Sequence, residues 1–253
     1  MNLQVVLRGA VCELRLASPP GNVIDRAFCA DFESAVREHA ENRDVGAFLL
    51  SSEGDHFSYG ASVPEHRPGE MERFLPAFHG AVRALAATHV PVIAAVRGLC
   101  LGGGFELAAF AHIVIAERTA SFGVPEIQLG VFPPLAAIVL PWKVAGAKAD
   151  DWILSGRRIS ASEAHEAGLV TRLAAAGDLE DAVEAYVAEV IAPRSASSLR
   201  FAARAARHGL NRDIEERLPG LETLYLEDLM KTADANEGIN AFIEKRSPKW
   251  GNR

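Results

Sequence analysis

The stretch of sequence that decides the fold spans residues 91–130, PVIAAVRGLCLGGGFELAAFAHIVIAERTASFGVPEIQLG. An apolar run over 90–96 leads into it, which is the pattern of a strand buried on both faces. Three consecutive glycines follow at 102–104, and because they lack Cβ atoms a ligand can approach their N–H groups closely. The next residues, FELAAFA, are typical of a helix start, where unpaired N–H groups and the helix dipole favour negative charge. The stretch therefore predicts a strand, a glycine turn and a helix whose N-terminus faces a ligand.

Two glutamates in this stretch are candidates for proton transfer. Glu106 lies in the first turn of the predicted helix, and Glu126 follows in the segment VPEI. A glutamate in a first helical turn is often only a partner of the dipole, worth about 0.3–1 kcal/mol. Other sites are excluded, because Leu107 stands where G-x-G-x-x-G needs its third glycine, and the chain has no P-loop, G-x-S-x-G or H-E-x-x-H motif. What remains is an oxyanion-binding turn close to two carboxylates.

The composition is that of an acidic globular protein. The 253 residues allow one large domain, alone or with an appendage, and the net charge of −7 argues against nucleic-acid binding as the main activity. Cys12, Cys29 and Cys100 have no disulfide or metal-ligand spacing, so we expect buried, reduced thiols in a cytoplasmic protein. The N-terminus lacks the pattern of a signal peptide, and no run of 18 uncharged apolar residues predicts a membrane span.

The motifs GLCLGGGFELA and ASFGVPEIQLGVFP resemble the signature of the enoyl-CoA hydratase (crotonase) superfamily, and the similarity extends over nearly the whole chain. The resemblance implies an α/β, crotonase-like (ClpP/crotonase) fold, with a spiral of ββα units over residues 1–195 and a helical trimerisation region over 196–253. It also implies a homotrimer or a dimer of trimers. An acyl-CoA would be the substrate, with no metal and no cofactor besides the coenzyme A that the substrate carries.

A second segment, HFSYGASV at 56–63, resembles the F-C-A-G-A-D-L motif of the same family. The resemblance implies that the N–H groups of Ala61 and Gly103 form the oxyanion hole. It makes Glu126 the main acid/base and gives Glu106 the role of holding the same water. It further assigns contacts with coenzyme A or substrate to Val23, Ser58, Tyr59, Leu101, Gly102, Pro134 and Lys245. Lys245, or Arg246 beside it, would contact the phosphates of a coenzyme A bound to a neighbouring subunit. The alternative is that these residues form a solvated helix end without a ligand.

The segment after Gly130, VFPPLAA, lacks the glycines that most hydratases of the family carry there. It resembles the cyclohexa-1,5-diene-1-carbonyl-CoA hydratase branch, which has a similar G-V-F-x-P run. The implied activity is that of a hydro-lyase that adds water to, or removes it from, an α,β-unsaturated acyl-CoA through an enolate, with a cyclic dienoyl-CoA as substrate. Short-chain enoyl-CoA hydration, double-bond isomerisation and a non-catalytic RNA-binding or scaffolding role are the alternatives. The acidic charge and the glutamate pair argue against the last.

Two segments and one histidine carry further local predictions. Residues 67–70 are polar, contain proline and glycine, and are expected to form a loop over the site. His112 stands where the family often has aspartate, and is expected to be a packed structural residue. Residues 213–253 are predicted to be helical, with Gly238 and Pro248 as interruptions.

Overall fold

The computed structural model describes residues 2–67 and 69–253. The strands are β1 (Leu3–Arg8), β2 (Val11–Leu16), β3 (Ala47–Ser52), β4 (Val92–Val96), β5 (Leu99–Leu101), β6 (Ile113–Glu117), β7 (Ser121–Gly123), β8 (Ile159–Ser160) and β9 (Arg172–Ala174). In this described part, six of them form one sheet in the order β1-β2-β3-β4-β6-β9, and the remaining three form a small sheet in the order β5-β7-β8. The α/β architecture is the one that the sequence predicts.

The large sheet is parallel except at one edge. β1 and β2 form an antiparallel hairpin, and every later neighbour pairs in parallel. The central strand β4, with the sequence VIAAV, is buried along its whole length. Parallel strands of this kind need helices on both faces of the sheet, because the crossover connections cover them. The apolar run at 90–96 is thus explained by its central place in the sheet.

The helices are α1 (Arg26–Ala40), α2 (Met71–Ala87), α3 (Gly103–Phe110), α4 (Pro134–Lys143), α5 (Gly146–Ser155), α6 (Ala161–Glu166), α7 (Leu179–Tyr186), α8 (Ala196–Thr223) and α9 (Ala233–Ile243). Side chains cap several of them at the N-terminus. Asp25 accepts a hydrogen bond of 2.7 Å from the N–H of Phe28 in α1, and Ser160 accepts one of 3.1 Å from Glu163 in α6. Such a cap stabilises a helix by about 1 kcal/mol, and therefore fixes where it begins.

Two hydrophobic clusters hold the layers together. The larger one joins the sheet to helices on one face, and includes Phe28, Phe74, Phe105 and Trp152. The smaller one lies on the other face, where Ile93 and Ile115 of the sheet pack against α7. The site described below lies on the side of the larger cluster, since α3 and α4 belong to it.

The C-terminal region packs on this core. Ile214, Leu218 and Tyr225 are almost fully buried in the larger cluster. The prediction of helix as far as residue 253 is wrong, because α9 ends at Ile243 and the tail folds back. In the tail the N–H groups of Gly251 and Asn252 donate hydrogen bonds of 2.6 and 2.7 Å to the carboxylate of Asp234. The helix ends where Lys245 takes a left-handed φ of +54° and the N–H of Arg246 donates a hydrogen bond of 2.9 Å to the carbonyl of Ala241. The predicted interruption at Gly238 is also wrong, because this glycine lies inside α9.

Three further observations concern the rest of the chain. The predicted loop at 67–70 includes Pro68, which lies outside the described residues. Cys12, Cys29 and Cys100 are buried free thiols, as expected. Across 2–67 and 69–253, no helix has the length and apolar character needed to cross a membrane.

Candidate active site

The glycine turn lies against the segment at 58–61, backbone to backbone. Gly102 follows β5 with a φ of +51°, a conformation that residues with a Cβ rarely adopt, and α3 begins at the next residue. A Cβ on Gly104 would lie only 2.5 Å from the Cβ of Ser58. A Cβ on Gly103 would lie 3.6 Å from the backbone nitrogen of Ala61. Gly104 therefore allows the two segments to meet more closely than a side chain would permit, while Gly103 leaves ordinary contact distance beside Ala61.

Two backbone N–H groups come together at this contact. The N–H of Ser62 donates to the carbonyl of Ile24, and that of Ile24 to the carbonyl of Gly60, both at 2.9 Å, which leaves the N–H of Ala61 on the opposite side. Gly103 is the first residue of α3, so its N–H has no acceptor within the helix. Neither N–H donates to a loop carbonyl or a side chain in the part of the chain that the structure describes. Two such N–H groups can donate hydrogen bonds to a negatively charged oxygen, and their role as an oxyanion hole stays a prediction.

Glu106 is held by a second helix N-terminus. It is buried in the first turn of α3, and its Oε1 accepts a hydrogen bond of 2.8 Å from the N–H of Ala136 in the first turn of α4. Burial raises the pKa of Glu106 to about 7, and the N–H groups of Ala136 and Leu135 oppose that rise. These two amides are functional groups that the sequence analysis missed. The proline at the start of α4, Pro134, was the available signal, because proline favours the first helical position.

Glu126 is the second carboxyl of the site. It lies in the 3₁₀ turn Pro125–Leu129 and is half-buried. A Cβ on Gly102 would lie 2.8 Å from its Oε1, so the carboxyl faces the glycine turn. Its Oε2 is shielded from solvent and has no hydrogen-bond partner among residues 2–67 and 69–253. Burial, and then the neighbouring carboxylate of Glu106, raise the pKa of Glu126 to about 8.

Two such carboxyls titrate as a pair. Since each disfavours the charge of the other in a buried place, one holds a proton at neutral pH while the other is free to ionise. The site thus offers a proton donor and a proton acceptor at the same pH, which general acid–base catalysis requires. The oxyanion donors add stabilisation for negative charge next to them.

A cavity of about 530 Å³ leads from Glu126 to the surface. Besides Glu126, four residues that the sequence analysis assigned to the site line it, namely Tyr59, Ala61, Leu101 and Gly102. The ring of Tyr59 forms one wall and packs on Gly21, where a Cβ would lie 2.8 Å from the ring. Phe242 of α9 lines the other side, so the C-terminal helix of the same chain closes over the cleft.

Six residues from the sequence analysis do not line this cavity, namely Glu106 and Gly103, described above, and four others. Val23 is exposed, and Lys245 is exposed at the end of α9. Pro134 is buried as the first residue of α4. Ser58 is fully buried, and its hydroxyl donates a hydrogen bond of 2.8 Å to the carbonyl of Asn22 and accepts one of 3.0 Å from a backbone N–H. Ser58 therefore positions the oxyanion segment, while a contact of Lys245 with a neighbouring subunit stays a prediction.

The mouth of the cavity is basic. Arg157, Arg158 and Arg246 line it. Arg157 pairs with the carboxylates of Asp151 and Glu163, and Arg246 pairs with two other acids. Arg158 is exposed and makes no ion pair within the described residues, so it is the arginine available to a phosphate. No sequence motif marks Arg158, and the sequence analysis missed it.

No metal site accompanies these groups in the part of the chain described here: none of its clusters of three or more His, Cys, Asp or Glu side chains could hold an ion. The expectation that the reaction needs no cofactor stays a prediction. His112, expected to be structural, accepts a hydrogen bond of 3.1 Å from the N–H of Val92 through its Nδ1. Burial, the larger cause, and the cations of Arg207 and Lys143 lower its pKa to about 3, so the ring is neutral at physiological pH.

Comparison with known proteins identifies the family of the chain. The chain matches the family described as enoyl-CoA hydratase/isomerase over residues 7–253. It is 47% identical to a cyclohexa-1,5-dienecarbonyl-CoA hydratase of Thauera aromatica over 97% of this chain and 94% of that protein. It is 38% identical to a probable enoyl-CoA hydratase of Mycobacterium bovis, over 92% and 90% of the two chains.

Solved structures show the same fold. A carnitinyl-CoA hydratase from Mycobacterium avium, 29% identical, superposes with a TM-score of 0.87 over 100% of this chain and 99% of that one. An enoyl-CoA hydratase from Mycobacterium avium subsp. paratuberculosis, 24% identical, has a TM-score of 0.88 with the same coverage and supports the fold alone. On the family match and these relatives, the chain belongs to the enoyl-CoA hydratase/isomerase family.

Proposed function

We propose that this acyl-CoA hydratase adds water to a cyclic dienoyl-CoA, such as cyclohexa-1,5-diene-1-carbonyl-CoA, or removes water from its product. The observation that carries the hydratase function is the placement of two carboxyls, that of buried Glu106 and that of half-buried Glu126, beside the N–H groups of Ala61 and Gly103. In this proposal the two N–H groups stabilise an oxyanion, and the two carboxyls transfer protons. Both are needed to add water to an α,β-unsaturated thioester.

The oxyanion hole would make the β-carbon of the substrate more electrophilic. A thioester carbonyl withdraws electrons from the conjugated double bond, and negative charge develops on its oxygen as water attacks. The N–H groups of Ala61 and Gly103 would donate hydrogen bonds to that oxygen without changing their own protonation state. The loss of one such donor typically costs about 2.7–4 kcal/mol in barrier height.

The two carboxyls share the proton transfers. In the proposed mechanism Glu106 orients the water and Glu126 takes a proton from it as its oxygen bonds to the β-carbon. Glu126 then delivers that proton to the α-carbon of the enolate, which regenerates the carboxylate. The raised pKa values suit this exchange, because a group with a pKa near the working pH can both give and accept a proton. The hydrogen bond from Ala136 fixes the carboxyl of Glu106, so the orientation of the water is set by α4.

Two observations support a cyclic substrate. The first is the 47% identity with a cyclohexa-1,5-dienecarbonyl-CoA hydratase along nearly the full length of both chains. The second is the apolar, proline-stiffened segment VFPP between Glu126 and α4, in which Phe132 packs on Tyr225 with ring centroids 5.3 Å apart. A rigid aromatic surface suits a ring better than a flexible chain, because neither partner loses much conformational freedom on binding.

A side-by-side assay tests the proposal. Crotonyl-CoA and cyclohexa-1,5-diene-1-carbonyl-CoA are each incubated with the enzyme, the loss of the enoyl-thioester chromophore is followed by ultraviolet absorbance, and the products are identified by mass spectrometry. We expect a kcat/KM at least tenfold higher for the cyclic diene. A preference for crotonyl-CoA would replace the proposal with short-chain enoyl-CoA hydration.

Double-bond isomerisation is the second enzymatic candidate, because it needs only one carboxylate. The burial and capping of Glu106 favour hydration, since an isomerase would not require this second carboxyl to be held in place. A Glu106→Gln variant with near-normal activity beside an inactive Glu126→Gln variant would favour isomerisation.

We further propose a homotrimer, or a dimer of trimers, built through the C-terminal helices. Large apolar side chains remain exposed on α8, on the turn that follows it, on α9 and on α4 and α5, namely Phe201, Leu224, Phe242, Trp142 and Leu154. Where such side chains form a large patch, they typically mark a protein interface. Sedimentation as a monomer at micromolar concentration would contradict the assembly.

A further inference from the structure

Tyr225 lies where the last long helix departs from regular geometry. α8 ends at Thr223 and continues as a π-helical turn, Leu224–Asp228, that carries this tyrosine. Single π turns within helices are rare and are frequently found at functional sites, because they redirect one side chain at the expense of regular hydrogen bonding. Here the redirected side chain is 1% exposed and packs its ring on Phe132 at an interplanar angle of 59°.

The hydroxyl of Tyr225 is buried without a protein partner. Its Oη is shielded from solvent and makes no hydrogen bond to any residue in the described ranges. An unpaired buried hydroxyl is destabilising, and phenylalanine would fill the same space without that cost. Packing therefore explains the ring of Tyr225 and leaves its hydroxyl unexplained.

The ring of Tyr225 packs on the segment that contacts both glutamates of the site. The ring packs on Phe132, which belongs to the segment between Glu126 and the N-terminus of α4. The N–H of Val131, next to Phe132, donates a hydrogen bond of 3.2 Å to the carbonyl of Glu126. Four residues after Phe132, the N–H of Ala136 donates a hydrogen bond to the carboxyl of Glu106. Glu126 Oε2 is the other buried, unpartnered oxygen of this region in the described chain.

The protonation state of Tyr225 decides what it can do. Burial raises the pKa of Tyr225 well above its ordinary value, and the carboxylates of Glu126 and Glu106 make smaller contributions in the same direction. The phenol therefore keeps its proton across the physiological pH range. It can serve as a hydrogen-bond donor, and it cannot serve as a base.

We propose that the hydroxyl of Tyr225 donates a hydrogen bond to the oxygen that is exchanged between water and the acyl group, in the site that Glu106 and Glu126 form. The proposal rests on the hydratase function above. A water molecule has two hydrogens and two lone pairs. With its hydrogens directed to the two carboxyls and one lone pair held by Tyr225, the other lone pair is left to attack the substrate. In the reverse direction the same donor binds the departing hydroxyl.

The test is a comparison of Tyr225→Phe with the wild type in catalysis and in binding. We expect kcat for hydration to fall by about 10–100-fold, the range for loss of a positioned donor. KM for the enoyl-CoA should change by less than about twofold, because that substrate lacks the oxygen that Tyr225 binds. The affinity for the hydroxyacyl-CoA product should fall by about tenfold, while that for the saturated acyl-CoA stays unchanged.

Tyr186→Phe is the matched control. Tyr186 is also buried, but its ring lies under the guanidinium of Arg172 in the smaller hydrophobic cluster, on the other face of the sheet. This variant should leave kcat and both affinities unchanged. The melting temperature of Tyr225→Phe should equal or exceed that of the wild type, because removal of an unpaired buried hydroxyl relieves a cost.

Two results would overturn the role of Tyr225. One is a Tyr225→Phe variant with normal kcat and normal affinity for the hydroxyacyl-CoA. The other is an equal loss of affinity for the hydroxylated and saturated acyl-CoAs, which would indicate a packing effect alone. If the wild type hydrates no enoyl-CoA at all, the proposed function fails, and the comparison of the two affinities then decides for or against the Tyr225 contact by itself.

Discussion

Replacing Glu126 by glutamine should stabilise the folded protein at alkaline pH and much less at acidic pH. Burial and the neighbouring carboxylate move the pKa of Glu126 from 4.5 to about 8 on folding. A carboxyl whose pKa is raised in the folded state contributes stability below its unfolded pKa and loses that contribution as the pH rises through the folded value. The window for Glu126 is therefore about pH 4.5 to 8.

The magnitude follows from the size of this change in pKa. Each pKa unit corresponds to about 1.4 kcal/mol, so ionising Glu126 in the folded state costs about 5 kcal/mol at most. Glutamine has a buried amide with a cost of its own, but that cost is the same at every pH. The difference between the stabilisation at pH 9 and that at pH 5 thus isolates the carboxylate, and we expect about 3–4 kcal/mol.

Thermal unfolding at the two pH values measures this difference. For a chain of this size 1 kcal/mol shifts the melting temperature by about 2–4 °C, so the gain of Glu126→Gln over wild type should be about 6–16 °C larger at pH 9. Glu216→Gln, an exposed glutamate on α8, is the control and should show no pH-dependent gain. An equal gain for Glu126→Gln at pH 5 and pH 9 would refute the buried, coupled carboxyl pair.

Three further outcomes are expected. Gly104→Ala places a Cβ 2.5 Å from that of Ser58, so stability should fall by about 1–3 kcal/mol in urea unfolding and hydration should fall at least tenfold, whereas Gly146→Ala, with nothing within 4 Å, should change neither. Arg158→Ala should weaken the affinity for coenzyme A in calorimetry, most strongly at low salt, and an unchanged affinity would exclude this arginine from the phosphate site. Lys245→Ala tests the contact from a neighbouring subunit in the same titration, and equal affinity to wild type at every salt concentration would dismiss that contact.

Local patterns were enough to predict most of the fold. The buried apolar run at 90–96 became the central strand β4, and the aspartate before α1 became its N-cap. The prediction of helix failed in the C-terminal tail. There the carboxylate of Asp234 accepts hydrogen bonds from the N–H groups of Gly251 and Asn252, which hold the tail against α9. Such a long-range contact leaves no periodic signal in a single sequence. The three-stranded sheet of β5, β7 and β8 was also missed, since strands of two or three residues are too short to show alternation.

The candidate site could be predicted from the sequence where the chemistry requires an unusual backbone conformation. The glycine triplet and the two glutamates stood out, because close backbone approach and buried carboxyls restrict which residues can serve. Tyr225 and Arg158, for which we propose roles, have no signal in the sequence, since one tyrosine in a helix and one arginine in a loop look like ordinary packing and surface residues. Only the three-dimensional structure brings the ring of Tyr225 against Phe132, in the segment that follows Glu126 about a hundred residues earlier in the chain.

The most direct test of the two-carboxyl hydration site is turnover of cyclohexa-1,5-diene-1-carbonyl-CoA in water enriched in ¹⁸O, with mass spectrometry of the product. The wild type should incorporate one labelled oxygen. Glu106→Gln and Glu126→Gln should each slow incorporation by about 10²–10⁴-fold, and the double variant should lose less than the product of the two effects, because both act on one water. A product without ¹⁸O and with a shifted double bond, or full incorporation by the double variant, would contradict hydration at this site.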